Sequence, residues 1–77
     1  MKDIKILGTG CPKCTALYEN TQAAVQTAGI TANIEKVEKI TEIIGYGVMN
    51  TPALVVDGEV KSAGKTLSAE QVTELLQ

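Results

Sequence analysis

Thr51-Pro52-Ala53-Leu54-Val55-Val56-Asp57-Gly58-Glu59-Val60-Lys61 is the stretch from which the rest of the chain is most easily read. Two runs of β-type residues are separated by Asp-Gly, the pair favoured in a two-residue type I′ turn because glycine takes a positive φ at no steric cost. The segment is therefore a hairpin, and its two strands are antiparallel neighbours. Pro52 stands at the opening of the first strand, where a missing N–H is tolerated. On general grounds its peptide bond would be trans, since cis is found in only about 5% of X–Pro bonds.

Beyond the hairpin, Ser68 and Gln71 have the spacing of a capping box, and Leu67 and Val72 that of a hydrophobic staple. They begin a last helix whose buried stripe is Val72, Leu75 and Leu76. Before the hairpin, Ile40, Ile43 and Ile44 form a short helical stripe ended by the glycines at 45 and 47. Ala32 to Glu38 reads as a strand. Further back, Cys14, Leu17, Tyr18, Thr21, Ala24, Val25 and Ala28 form an amphipathic helical stripe closed by Gly29. Asp3 to Leu7 alternates polar and apolar residues as a first strand, followed by Gly8-Thr9-Gly10 as a turn. The order is βαβαββα. The crossover through the first helix makes the first two strands parallel.

The 77 residues are expected to form one domain, 1–77, and a domain so small buries only about 60% of the surface its unfolded chain exposes. Apolar residues make up 44% and charged residues 21%, a globular composition. Seven lysines against nine acidic residues give a net charge of −2, spread without blocks. With no basic stripe and no run of about 20 apolar residues, neither nucleic acid nor a membrane is an expected partner. A cytoplasmic location is expected.

The two cysteines, Cys11 and Cys14, enclose only Pro12 and Lys13. A crosslink across so short a loop stabilises by about 2 kcal/mol in the chain-entropy account, and cytosolic thiols are kept reduced, so a structural staple is a poor reason for the pair. Cys-x-x-Cys serves both redox chemistry and soft-metal binding. A closed zinc site needs four ligands, and the chain has two cysteines and no histidine, which excludes structural zinc within one copy. A two-coordinate copper or mercury site remains open. The heavy-metal-associated fold, however, runs βαββαβ and ends in a strand, whereas this chain ends in a capped helix; the order of elements favours redox work.

Placement at a helix start divides the labour. Cys11 falls at the N-cap with Pro12 in the first helical position, where proline is favoured. Free N–H groups and the positive end of the helix dipole lower its thiol pKa below the free value of about 8.5, making it the nucleophile. Lys13 adds a cation nearby. Cys14, on the apolar stripe, keeps its proton longer and is the resolving thiol.

Over essentially its whole length the sequence resembles the small thioredoxin-like, glutaredoxin-sized redox proteins of prokaryotes. The likeness is carried by Cys11-Pro12-Lys13-Cys14, by Gly47-Val48-Met49-Asn50 running into Thr51 to Gly58, and by the final helix. It implies an α/β thioredoxin-like fold with a central four-stranded mixed sheet flanked by three helices. It implies a thiol–disulfide oxidoreductase working on protein disulfides, with no cofactor beyond the Cys11–Cys14 disulfide, recharged by a thioredoxin-reductase type donor. Pro52 would be cis and packed beside the disulfide, and Thr51 would hydrogen-bond an extended substrate through its backbone. Pro12 and Lys13 are further candidates for substrate contact, with plain solvation an equal reading of Lys13. A monomer is expected, with no metal. The alternative function is a soft-metal chaperone using the same cysteines.

The chain departs from the resemblance at Gly10, where thioredoxins have Trp, and at Lys5, where their buried carboxylate near the resolving cysteine would fall. Tyr18 reads as core before site. Tyr46 is divided between substrate surface and plain surface. Met49 reads as a gap filler before a contact to the disulfide, and the glycines at 8, 10, 45, 47 and 64 as turns and caps.

Overall fold

The computed structural model describes residues 2–76; Met1 and Gln77, the ends of the expected 1–77 domain, lie outside the described residues. Its elements are β1 (Lys2–Leu7), α1 (Pro12–Ala28), β2 (Ala32–Val37), α2 (Ile40–Gly45), β3 (Ala53–Val56), β4 (Glu59–Ala63) and α3 (Ala69–Leu76). The four strands form one sheet in the order β2-β1-β3-β4. β1 runs parallel to β2, with Leu7 opposite Val37, and antiparallel to β3, with Leu7 opposite Ala53. The order βαβαββα and the α/β thioredoxin-like architecture are those the sequence implied, and the chain closes on a helix, not a strand.

Strand alternation sorts the core into two layers. On one face, Ile4, Ile6, Leu54 and Val56 pack against Leu17 and Ala24 of α1 and Val72 and Leu76 of α3. On the other, Leu7, Val37, Ala53 and Val55 meet Ile43 of α2 and Val48. Every residue of β3 is buried, because this central strand is covered on both faces. Asn20 on α1 donates its side-chain amide to the Leu67 carbonyl at 2.9 Å, fastening the start of α3 to α1.

The local features form as their residues require. Asp57 and Gly58 have φ of 50° and 82°, the positive pair of a type I′ turn. Ser68 Oγ accepts from Gln71 N at 3.2 Å while Gln71 Oε1 accepts from Ser68 N at 2.9 Å, completing the capping box, and both staple residues, Leu67 and Val72, are buried. Gly29, in the left-handed region, ends α1.

Several boundaries and faces differ from the sequence reading. β1 begins one residue earlier, at Lys2. β2 stops at Val37, leaving Glu38 outside the ladder, and β4 runs on to Ala63 with a bulge opposite Leu54 and Val55. Ala28 is exposed, so the apolar stripe of α1 ends a turn before the helix does. The six residues of α2 bury only Ile43; Ile40 and Ile44 are 62% and 59% exposed. Met49 fills no gap: it is 89% exposed. So short a helix covers the sheet with a single turn, which seats Ile43 and leaves Ile40 and Ile44, and Met49 beyond it, in solvent.

Candidate active site

The site is assembled at one end of the sheet, where β1 leaves for α1 and β3 begins. Cys11 is the N-cap of α1, with extended backbone, and Pro12 holds the first helical position. Its Sγ accepts from the Cys14 backbone N–H at 3.2 Å. Cys11 and Cys14 form a disulfide with Cα atoms 5.0 Å apart. The two sulfurs differ in environment: Cys11 is partly exposed, whereas Cys14, one turn inside the helix, is 5% exposed. Pro12 and Lys13 are both exposed between them.

Pro52 is buried and its bond to Thr51 is cis. Its carbonyl accepts from Gly64 N at 2.9 Å, which ties the end of β4 to the start of β3. Thr51 itself is exposed. The strand pairing of Leu7 with Ala53 brings this segment next to the turn that carries the cysteines, although nearly forty residues of chain separate them.

The sequence reads Gly8 as one of the turn and cap glycines; the structure gives it a different role. It continues the pleat of β1, donating to the Val37 carbonyl at 3.0 Å, and has no positive φ. A Cβ built on it would collide with Cys14 Sγ, stand 3.0 Å from Cys14 Cβ and 4.0 Å from Thr51 Cβ. The absence of a side chain here lets the buried sulfur lie against the strand backbone, with Thr51 close by. Gly-x-x-Cys at the strand end was the available cue, but only the pleat shows which way residue 8 points.

Of the other residues singled out, Tyr18 packs on the core, and the ammonium of Lys36 lies 4.5 Å from its ring centroid. Tyr46 packs against the second core layer as the C-cap of α2. Lys5 points to that same face, away from the α1 side on which Ile6 lies. Burial works to lower its pKa, but the carboxylates of Asp3 and Glu35, at 3.4 and 3.6 Å, outweigh it and hold the ammonium above its ordinary value. Lys5 therefore serves a surface ion-pair cluster.

A groove of about 300 Å³ is lined by Thr9, Ile40, Ile43, Ile44, Val48, Met49 and Thr51, without a charged side chain among them. A smaller cavity of about 30 Å³ is lined by Cys14 and Thr15 of α1, Lys36 of β2 and Glu38. No group of three or more His, Cys, Asp or Glu side chains gathers into a metal-binding arrangement among the described residues, and none of the described helices is long and apolar enough to cross a membrane.

Comparison with known proteins agrees with this geometry. A family model described as a thioredoxin domain matches residues 2–77. A thioredoxin of Methanothermobacter thermautotrophicus is 40% identical over 76 residues, covering 99% of both chains. One of Methanocaldococcus jannaschii is 43% identical over 74 residues, covering 96% of this chain and 85% of its own. With a disulfide-bonded Cys-x-x-Cys at the head of α1 and a match that spans the fold, this chain belongs to the thioredoxin family of thiol–disulfide oxidoreductases.

Proposed function

We propose that the protein exchanges electrons with disulfides in other proteins, Cys11 attacking and Cys14 resolving. The observation that carries this assignment is the asymmetry of the couple: Cys11 is the accessible N-cap sulfur and already accepts the Cys14 N–H, while Cys14 is buried. The same N–H and the positive end of α1 stabilise a Cys11 thiolate when the couple is reduced. That thiolate attacks a substrate disulfide to give a mixed disulfide, and Cys14 then attacks Cys11 Sγ, releasing the reduced substrate and closing the Cys11–Cys14 bond. The redox group is this disulfide, and the cycle calls for no other cofactor.

Thr51 and the cis Pro52 are the proposed cradle for an extended substrate segment, with Pro12 and Lys13 on its other side. The uncharged groove formed by Ile40, Ile44 and Met49 supports a protein segment over glutathione, since exposed apolar side chains match those of a polypeptide and offer no cation to glutathione's carboxylates. The protein acts as a single-domain cytoplasmic monomer, recharged by a reductase of the thioredoxin-reductase type.

Replacing Cys14 with Ser traps mixed disulfides through Cys11, which non-reducing electrophoresis and peptide mapping detect. Failure of the wild-type pair to cycle reversibly between dithiol and disulfide, or mixed disulfides that persist in a Cys11→Ser variant and not in Cys14→Ser, would overturn the assignment.

A further inference from the structure

Resolution by Cys14 requires a buried thiol to lose its proton, and the position where the family's carboxylate would stand holds Lys5, turned to the other face of the sheet and occupied with Asp3 and Glu35. The proton must go elsewhere. The cavity of about 30 Å³ behind Cys14 is lined by Ile6, Gly8 and Gly10 on one side, Thr15 on α1, and Lys36 and Glu38 from β2 and its end. Space of this size admits a single water, which requires polar partners to stay.

Glu38, itself exposed, is the carboxylate lining this cavity, which opens to solvent past Gly10, Thr15 and Lys36. Because β2 stops at Val37, residue 38 is released from the ladder at the end of the sheet where the cysteines lie. Its Oε2 is 3.9 Å from the place a Gly10 Cβ would occupy, so it lies over the backbone that leads into Cys11. It takes part in no ion pair among the described residues. The other charged residue lining the cavity is Lys36, whose ammonium is drawn over the Tyr18 ring.

We propose that Glu38 accepts, through one water held in this cavity, the proton that Cys14 loses as it resolves the mixed disulfide. The proposal rests on Cys14 being the resolving thiol. The Cys14 proton passes to the water as a water proton passes to the Glu38 carboxylate. The sulfur electron pair freed on Cys14 forms the bond to Cys11 Sγ, and the bond from Cys11 to the substrate sulfur breaks, its electron pair leaving with the substrate thiolate. The substrate disulfide gains two electrons and the protein dithiol loses them. The leaving thiolate is then protonated from solvent, and Glu38 returns its proton to solvent. In the reverse direction the Glu38 carboxyl reprotonates Cys14 when a reductant opens the Cys11–Cys14 bond.

The two steps separate with the aromatic disulfide 5,5′-dithiobis(2-nitrobenzoate) as probe. Mixed with reduced protein in a stopped-flow instrument, it releases one coloured thiolate when Cys11 attacks and a second when Cys14 resolves. In Glu38→Gln the second phase is expected to slow by roughly 10²-fold at neutral pH, the lower end of general-base contributions, while the first changes by less than about twofold. The second phase should recover as pH rises, and added imidazole should accelerate it in Glu38→Gln and hardly at all in the wild type. Glu38→Asp should retain part of the rate, and Glu70→Gln on α3, which changes net charge equally, should leave both phases unaltered. A second phase in Glu38→Gln that follows the wild-type pH profile overturns the proposal. So does an equal slowing of both phases, which marks a general electrostatic effect. A Cys11→Ser variant that releases its single coloured thiolate as fast as the wild-type first phase instead overturns the assignment of attack to Cys11, and is distinguishable because it does not involve Glu38.

Discussion

Gly8 and Cys14 share one volume: the space a Cβ would need on residue 8 is filled by the Cys14 sulfur. The last residue of the β1 pleat and the first buried turn of α1 are thus in direct contact, strand backbone against sulfur. The close approach sets how deeply the head of α1 sits on the sheet, and so how far Cys14 is withdrawn from solvent while Cys11 stays accessible.

Gly8→Ala should cost about 1–3 kcal/mol, the usual penalty for inserting a methyl group into a packed site. Denaturant unfolding of the oxidised and reduced forms measures it. The same variant should expose Cys14, read as faster alkylation of the second thiol in the reduced protein. A variant as stable as the wild type, with Cys14 equally protected, would show that α1 can move away freely.

The exposed isoleucines of α2 invite a functional comparison. Ile44→Ser should alter stability by less than about 0.5 kcal/mol, because the side chain is largely in solvent. Its KM for a protein disulfide should rise, with kcat and the rate toward a small aromatic disulfide unchanged. Equal loss toward both substrates would mean that the groove has no part in choosing polypeptides.

At the start of α3, Ser68→Ala removes the acceptor for Gln71 N and should destabilise the fold by about 1 kcal/mol. Since α3 lies far from the disulfide in sequence and covers the α1 face of the core, thermal unfolding should shift while the rate of attack by Cys11 does not.

Asp57 supplies a pH dependence. The Asp3 backbone N–H, donating at 2.9 Å, is the main cause lowering its pKa; burial opposes this and the Lys2 charge adds to it. A carboxylate depressed on folding stabilises above its ordinary value of 3.8, and that contribution is lost as pH falls from there through the folded value. Asp57→Asn keeps a residue suited to positive φ and removes the charge. Acid unfolding of this variant should be shallower than wild type below pH 4, with the difference in stability greatest at neutral pH.

Much of this molecule could be read along the chain because it depends on neighbours a few residues apart. Asp57-Gly58 dictates its own turn, Ser68 and Gln71 cap α3 between themselves, and the three-and-four spacing from Cys14 to Val25 marks a helix face wherever the helix lies. Even the unequal roles proposed for Cys11 and Cys14 follow from their positions relative to a helix start. The tertiary structure decided what depends on pleat parity and on pairing between distant segments. It turned Gly8 toward Cys14 and Lys5 away from it, set Thr51 beside the disulfide through the Leu7–Ala53 pairing, ended β2 so that Glu38 reached the cavity, and left Ile40, Ile44 and Met49 in solvent. A shift of one residue in register reverses the face of every side chain in a strand; no local pattern in Gly8 records which face it will take, nor any in Glu38 that the ladder has already ended.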